Sequence, residues 1–228
     1  MAQLLYAVGD IHGEREKLDA LLAHLPLRSG DRFVFTGDYI DRGPDAFGVV
    51  DRLLKLSTEF PCLFLMGNHE SMLLDFLGWK GRAYFAGDAF LANGGARTLA
   101  SYGYFDRDEP SPVGFRLPTV HEEFFRALRL WHLDGDYLFV HAGLAPAQLA
   151  ESDVDFALRR ARPVDLLWRR DTWDQPHRLG RTIIYGHTPA PDLEVRWNLP
   201  FSIGIDTGAT FGGSLTAIRL PDETLFQT

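Results

Sequence analysis

Apolar positions along the first third of the chain switch between two periods. Residues 3–8 form a short apolar run closed by Gly9, the pattern of a buried strand. Leu18, Leu21, Leu22 and Leu25 then recur at i, i+3, i+4 and i+7, which predicts a helix ended by Pro26 and Ser29-Gly30. A second strand is expected over 33–36 and a second helix over 45–57, with Val50, Leu53 and Leu54 on its inner face. The run 62–66 is apolar throughout, as for a strand covered on both faces, and a third helix follows at once as far as Gly78. Strand, loop and helix in repetition predict a βαβαβ unit with parallel strands. In such a sheet the loops that follow the strands leave at one edge, where ligands bind.

Beyond Trp79 the pattern loosens. Residues 79–118 carry Gly81, Gly87, Gly94-Gly95, Gly103 and Gly114, and an acidic, proline-containing loop over 106–112. Thr119-Val120-His121-Glu122 fits a capping box opening a helix that carries Phe124, Phe125, Leu128 and Leu130. Strands follow over 137–140 and 182–185, with a helical or irregular stretch at 165–170 between them. Residues 201–220 hold two further strands around Gly208 to Gly213, expected to be antiparallel. No repeat, low-complexity tract or linker divides the chain, so 1–228 is read as one domain, with 79–118 a variable cap that walls the entrance.

Composition narrows the partners. A hydrophobic fraction of 46% and a charged fraction of 24% are ordinary globular values. The net charge of −8 argues against a nucleic-acid or anionic-membrane partner. It leaves an anionic substrate open, because bound cations invert the sign locally. The single cysteine, Cys62, permits no internal disulfide and reads as a small buried hydrophobe. The first apolar stretch is too short for a signal peptide, and no stretch is long enough to span a bilayer, so the expected compartment is the cytoplasm.

The polar residues that stand out all follow strands: Gly9-Asp10-Ile11-His12-Gly13, Gly37-Asp38-Tyr39-Ile40-Asp41-Arg42-Gly43, Gly67-Asn68-His69-Glu70, His141-Ala142-Gly143 and Gly186-His187-Thr188. Each has a duller explanation alone. An Asp after Gly caps a helix or makes a turn, a strand-end His packs in the core, and Arg169-Arg170 fits a solvated helix face. Five strand ends that all bring ligand-type residues to one edge do not fit chance. Asp10, His12, Asp38, Asn68, His141 and His187 offer nitrogen and oxygen donors without thiolate, a set for manganese, iron or zinc. Two sites follow, with Asp10 and His12 on one metal, Asn68, His141 and His187 on the other, and Asp38 shared. Such a pair holds a hydroxide that attacks phosphorus in line. His69 is then the proton donor to the leaving group and Asp41 orients it. Arg42 and one arginine of Arg169-Arg170 hold the phosphoryl oxygens.

These five motifs, in this order, resemble those of the phosphoprotein phosphatase family of metallophosphoesterases, over nearly the whole chain. The resemblance implies the calcineurin-like α/β fold, a four-layer α/β/β/α sandwich of two mixed β-sheets with a dinuclear centre, most readily manganese, between them. It implies the same metal ligands, with His69 as general acid, Asp41 its partner, Asn68 also beside the substrate, and Arg42 as a clamp. The short length, the segment Leu167-Trp168-Arg169-Arg170 and the ending Gly204-Ile205-Asp206-Thr207-Gly208-Ala209 are similar to the bacterial and bacteriophage branch, which points to Arg170 as the second clamp. Asp206 reads equally as a residue behind the ligands and as a turn or core residue. One departure is Met66, where bacteriophage-type enzymes place an arginine. The activity implied is a protein serine/threonine phosphatase, with phosphotyrosine a further target and a phosphorylated protein or peptide as partner. The alternative is a symmetrical dinucleoside tetraphosphate hydrolase, whose motifs typically lack the first Asp of Asp-Arg-Gly and end in Asp rather than Glu. Asp41 and Glu70 therefore favour the phosphatase. A non-catalytic phospho-ligand binding module would show a decayed ligand position, and none of the six is decayed.

Overall fold

A computed structural model describes residues 3–104, 114–171 and 175–228, so the loop over 106–112 lies outside the described residues. Two five-stranded sheets are packed face to face. The first runs in the order β10 (Thr224–Gln227), β9 (Thr216–Leu220), β1 (Leu5–Val8), β2 (Arg32–Phe35), β3 (Cys62–Phe64). The second runs β4 (Trp131–Asp134), β5 (Tyr137–Val140), β6 (Thr182–Tyr185), β8 (Ser202–Gly204), β7 (Arg196–Asn198). β1, β2 and β3 are parallel, as are β5, β6 and β8, while β9, β10, β4 and β7 pair antiparallel, so both sheets are mixed.

Strand alternation builds the layers. Leu5 and Ala7 of β1 face inward with Val34, Phe139, Ile184, Ile203 and Ile218, side chains drawn from both sheets. Tyr6 and Val8 face outward onto Leu18 and Leu21 of α1 (Arg15–His24) and Val49 and Leu53 of α2 (Ala46–Glu59). On the far side Leu138, Val140 and Ile183 pack against α6 (Pro146–Leu149), α7 (Val154–Arg160) and α8 (Pro163–Trp168). Helix, sheet, sheet and helix are the four layers expected. Asp45 caps α2 by accepting from Gly48 N at 2.7 Å. The helices α3 (Asn68–Phe76), α4 (Gly95–Ser101) and α5 (Thr119–Ala127) cover the same side as α1 and α2.

Four local expectations need correction. β3 is an edge strand, only half-buried, and ends at Phe64; Leu65 leaves it to bridge Arg129, and Met66 N donates to Arg129 O. Thr119 is not a cap: Pro118 holds that position, its carbonyl accepts from Glu122 N, and no side chain caps α5. The two strands of 201–220 do not pair with each other. β8 lies in the second sheet and β9 in the first, so the loop between them crosses the seam of the sandwich. Cys62 is half-buried rather than buried, and burial still pushes its thiol up to about 12, which keeps it inert. Among the described residues no helix is long and apolar enough to cross a membrane.

Candidate active site

The loops after β1, β2 and β3 are stitched together by their backbones. Ile11 N and His12 N donate to Asp38 O, Gly13 N to Tyr39 O, and Gly43 N to His12 O. The motif glycines permit this closeness: a Cβ on Gly67 would lie 2.0 Å from Asp38 Oδ1, and one on Gly43 2.1 Å from His12 O. Among the described residues, five of the eight non-glycine residues with positive φ are expected site residues: His12, Asp38, Asp41, Arg42 and His187. Each such backbone costs about 1–3 kcal/mol, and persists only where its surroundings enforce it. Glu70 provides much of that enforcement. It is fully buried and accepts from Asp38 N (2.9 Å), Tyr39 N (2.8 Å) and Gly67 N (2.8 Å). Burial, with Asp38 adding to it, pushes this carboxyl up to about 8, and the backbone donors pull the other way.

Two sets of buried donors share Asp38. One is His12, Asp38 and His69, the other Asp38, His141 and His187, and within each set the ligand atoms lie within 4.8 Å of one another. Ring tautomers follow from the outer hydrogen bonds. His12 Nδ1 donates to Ile40 O at 2.8 Å and His141 Nδ1 to Thr36 O at 2.9 Å, so each ring turns an Nε2 lone pair inward. The His141 lone pair stands 3.0 Å from Asn68 Oδ1 and 3.5 Å from Asp38 Oδ1, and that of His12 stands 3.4 Å from Asp38 Oδ2. Acceptors set against acceptors repel unless a cation lies between them, and His187 Nε2 is buried with no partner. Burial lowers the His12 imidazole to about 3 and that of His187 to about 2, leaving both neutral, the ligating form. Asp10 is raised well above the carboxylate range by burial, then by Asp206 and Asp38, a crowding of carboxyls that a divalent cation relieves. These residues therefore fit divalent metal ions.

The remaining expected residues take distinct places. Asp10 stands beside the first set rather than within it, its Oδ2 accepting from His187 N at 2.8 Å and its Oδ1 facing Thr36 Oγ1 at 3.3 Å. The Asn68 amide lies between the rings of His141 and His187, 2.9 Å from His187 Nδ1. His69 Nδ1 donates to Asp41 Oδ2 at 2.6 Å, and its Nε2, 4.0 Å from Asp38 Oδ2, is buried without a partner. Burial lowers the His69 imidazole, but Asp38 and the Asp41 bond outweigh it and raise it overall. Arg42 Nη1 donates to His12 Nε2 at 2.6 Å, so a cation on that nitrogen displaces it. Arg169 is held away by Asp165 (2.7 Å) and Asp171 (2.9 Å), whereas Arg170 Nη1 reaches His187 O (3.3 Å) and Thr188 Oγ1 (3.2 Å).

Two residues escaped the sequence reading. Thr98 donates to Asp41 Oδ1 at 2.5 Å and accepts from Asp41 N at 2.9 Å, across 57 positions and from a helix with no motif. Glu70 was visible as part of Gly-Asn-His-Glu, but its buried task of clamping three N–H groups was not. Asp206 combines both of its readings: Oδ1 accepts from Gly208 N in a turn, while its carboxyl, buried beside Asp10, also feels Arg42 and Arg170.

The chain is similar to proteins named for nucleotide hydrolysis. The asymmetrical bis(5'-nucleosyl)-tetraphosphatase PrpE of Anoxybacillus flavithermus is 29% identical over 94% of this chain and 89% of its own length. The symmetrical bis(5'-nucleosyl)-tetraphosphatase of Nitrosospira multiformis is 28% identical over 98% of this chain and 95% of its own. A crystal structure of a putative diadenosine tetraphosphatase superposes with a TM-score of 0.71 at 22% identity, covering 100% of this chain and 94% of that one, a likeness of fold. These relatives overturn the expectation of a protein serine/threonine phosphatase with a phosphorylated protein or peptide as partner. The physical reason lies in the two residues that favoured it. Asp41 is bonded to His69 and Thr98, and Glu70 to backbone N–H groups, so both brace the site from behind and neither faces a substrate. Residues 4–209 match the calcineurin-like phosphoesterase family, and the chain belongs to that family of metal-dependent phosphoesterases.

Proposed function

We propose that this chain hydrolyses dinucleoside tetraphosphates, with Asp10, His12, Asp38, Asn68, His141 and His187 holding two divalent cations. The observation that carries the reading is that relatives named for this activity, in both asymmetrical and symmetrical forms, align over 94–98% of the chain. Manganese is the expected cation, with iron or zinc as alternatives, because the donors are imidazole, carboxylate and amide oxygen without thiolate. When bound, such a pair supplies Lewis-acid polarisation of a phosphoryl oxygen and an acidified water.

The chain's own groups then divide the work. Arg42 and Arg170 hold non-bridging phosphate oxygens, Arg42 from the side of His12 and Arg170 from the side of His187. His69 carries a proton on Nε2, kept in line by the Asp41 bond, which Thr98 in turn fixes. Its target is the leaving oxygen. For a phosphoanhydride that oxygen belongs to a nucleoside phosphate with a pKa of about 6. It leaves with little help, so His69 matters less here than for an alkyl ester. The test is incubation of manganese-loaded protein with diadenosine tetraphosphate and separation of the products. Two ADP define symmetrical cleavage, ATP with AMP asymmetrical cleavage, and an intact dinucleotide contradicts the proposal.

A further inference from the structure

Two exposed aromatic side chains flank the cluster, each beside one of the two arginines. Phe211 is 56% exposed on the tight turn Ala209–Phe211, and Arg42 Cζ lies 5.2 Å from its ring centre. The turn is fixed from behind, where Lys17 Nζ donates to Ala209 O at 2.6 Å and Gly213 O at 2.7 Å. Trp197, on β7, is 46% exposed. With Arg170, Thr188, Pro191 and Arg196 it lines a cavity of about 590 Å³ that opens beside the His187 loop. A cavity of that size suits a small-molecule fragment such as a nucleoside.

A lone exposed aromatic is ordinary surface. The pairing is not ordinary. Arg42 bonds to His12 and stacks on Phe211, while Arg170 bonds to His187 O and borders the Trp197 cavity. The buried Asp206 feels both guanidiniums. A polyphosphate held by both arginines therefore leaves the cluster at two ends, and each end meets an aromatic face. Bases stack on such faces with a gain of about five- to 150-fold in affinity per base.

We propose that Phe211 and Trp197 are the stacking faces for the two bases of a dinucleoside polyphosphate, one at each end of the phosphate chain. The proposal rests on the hydrolase reading above and adds what makes the site prefer two nucleosides to none. Phe211→Ala, Trp197→Ala, the double variant and Trp197→Phe test it, by the ratio of kcat/KM on diadenosine tetraphosphate to kcat/KM on p-nitrophenyl phosphate. Each alanine variant is expected to lower that ratio about tenfold through KM, and the double variant about a hundredfold, since distant sites add. Trp197→Phe should restore most of the loss. Ratios unchanged in both single variants, or a fall in only one, would overturn the two-ended arrangement. A wild-type protein that turns over p-nitrophenyl phosphate without preferring the dinucleotide would instead defeat the hydrolase reading, before any variant is made.

Discussion

Asp41, Glu70 and Thr98, at the floor of the site, are fully buried and bonded into neighbouring loops, whereas Arg42, Arg170, Phe211 and Trp197, at its rim, reach solvent. The floor fixes where the ligands and the proton donor stand. The rim meets whatever the phosphate is attached to. Motif residues are concentrated in the floor, which is why the chemistry can be read from them and the substrate cannot. Asp41 and Glu70 misled for that reason: they report on bracing, and bracing does not say what the phosphate is attached to.

Substitutions can break this division at graded strength. Asp38→Asn removes the carboxylate shared by both donor sets. It should cost more than the roughly 100-fold typical of losing a group that only orients a ligand. The same variant should lose the manganese-dependent rise in melting temperature, which in the wild type should be about 5–10 °C at a hundredfold excess over Kd, read by calorimetry. Next in size, His69→Asn should slow alkyl phosphates by about 10²–10³. The loss should shrink for p-nitrophenyl phosphate and the dinucleotide, and equal losses on all three would remove His69 from the acid role. Glu70→Gln keeps the size but weakens three backbone bonds, and should cost about 10–100-fold in metal affinity or rate on every substrate alike. At the rim the effect should become selective. Arg170→Ala should raise KM for the dinucleotide about tenfold or more through a lost charge-assisted bond. Arg169→Ala, which removes the ion pairs with buried Asp165 and exposed Asp171 but leaves Arg162 on Asp165, should cost about 1–3 kcal/mol of stability and leave KM in place.

What could be read in the sequence follows the same physics. β1, β2, β5 and β6 are central strands whose apolar runs and following glycine motifs both survive in the structure. β4, β7 and β10 went unseen because they are sheet edges: short, half-exposed and without a buried period to detect. β3, also an edge, is shorter than the apolar run 62–66 suggests, for the same reason. Five residues of the expected site, His12, Asp38, His69, His141 and His187, meet in the two donor sets, because parallel strands deliver their loops to one edge. Asp10, expected as a ligand beside His12, stands next to these sets, its oxygens also bonded to the His187 backbone and Thr36. Thr98 carried no signal, since a threonine on a short helix acquires its role only when α4 lands on the Asp41 loop. Phe211 and Trp197 carried none either, because an aromatic in a sequence does not say whether it will be packed or open.

On the proposed reading the buried floor serves a nucleotide rather than a phosphoprotein. The deciding measurement is kcat/KM of the metal-stripped protein, with manganese restored, on diadenosine tetraphosphate, a phosphoserine peptide and p-nitrophenyl phosphate side by side. Manganese-dependent turnover is expected, with the dinucleotide well ahead of the other two. Manganese-dependent release of phosphate from the peptide at a higher kcat/KM than the dinucleotide would contradict it.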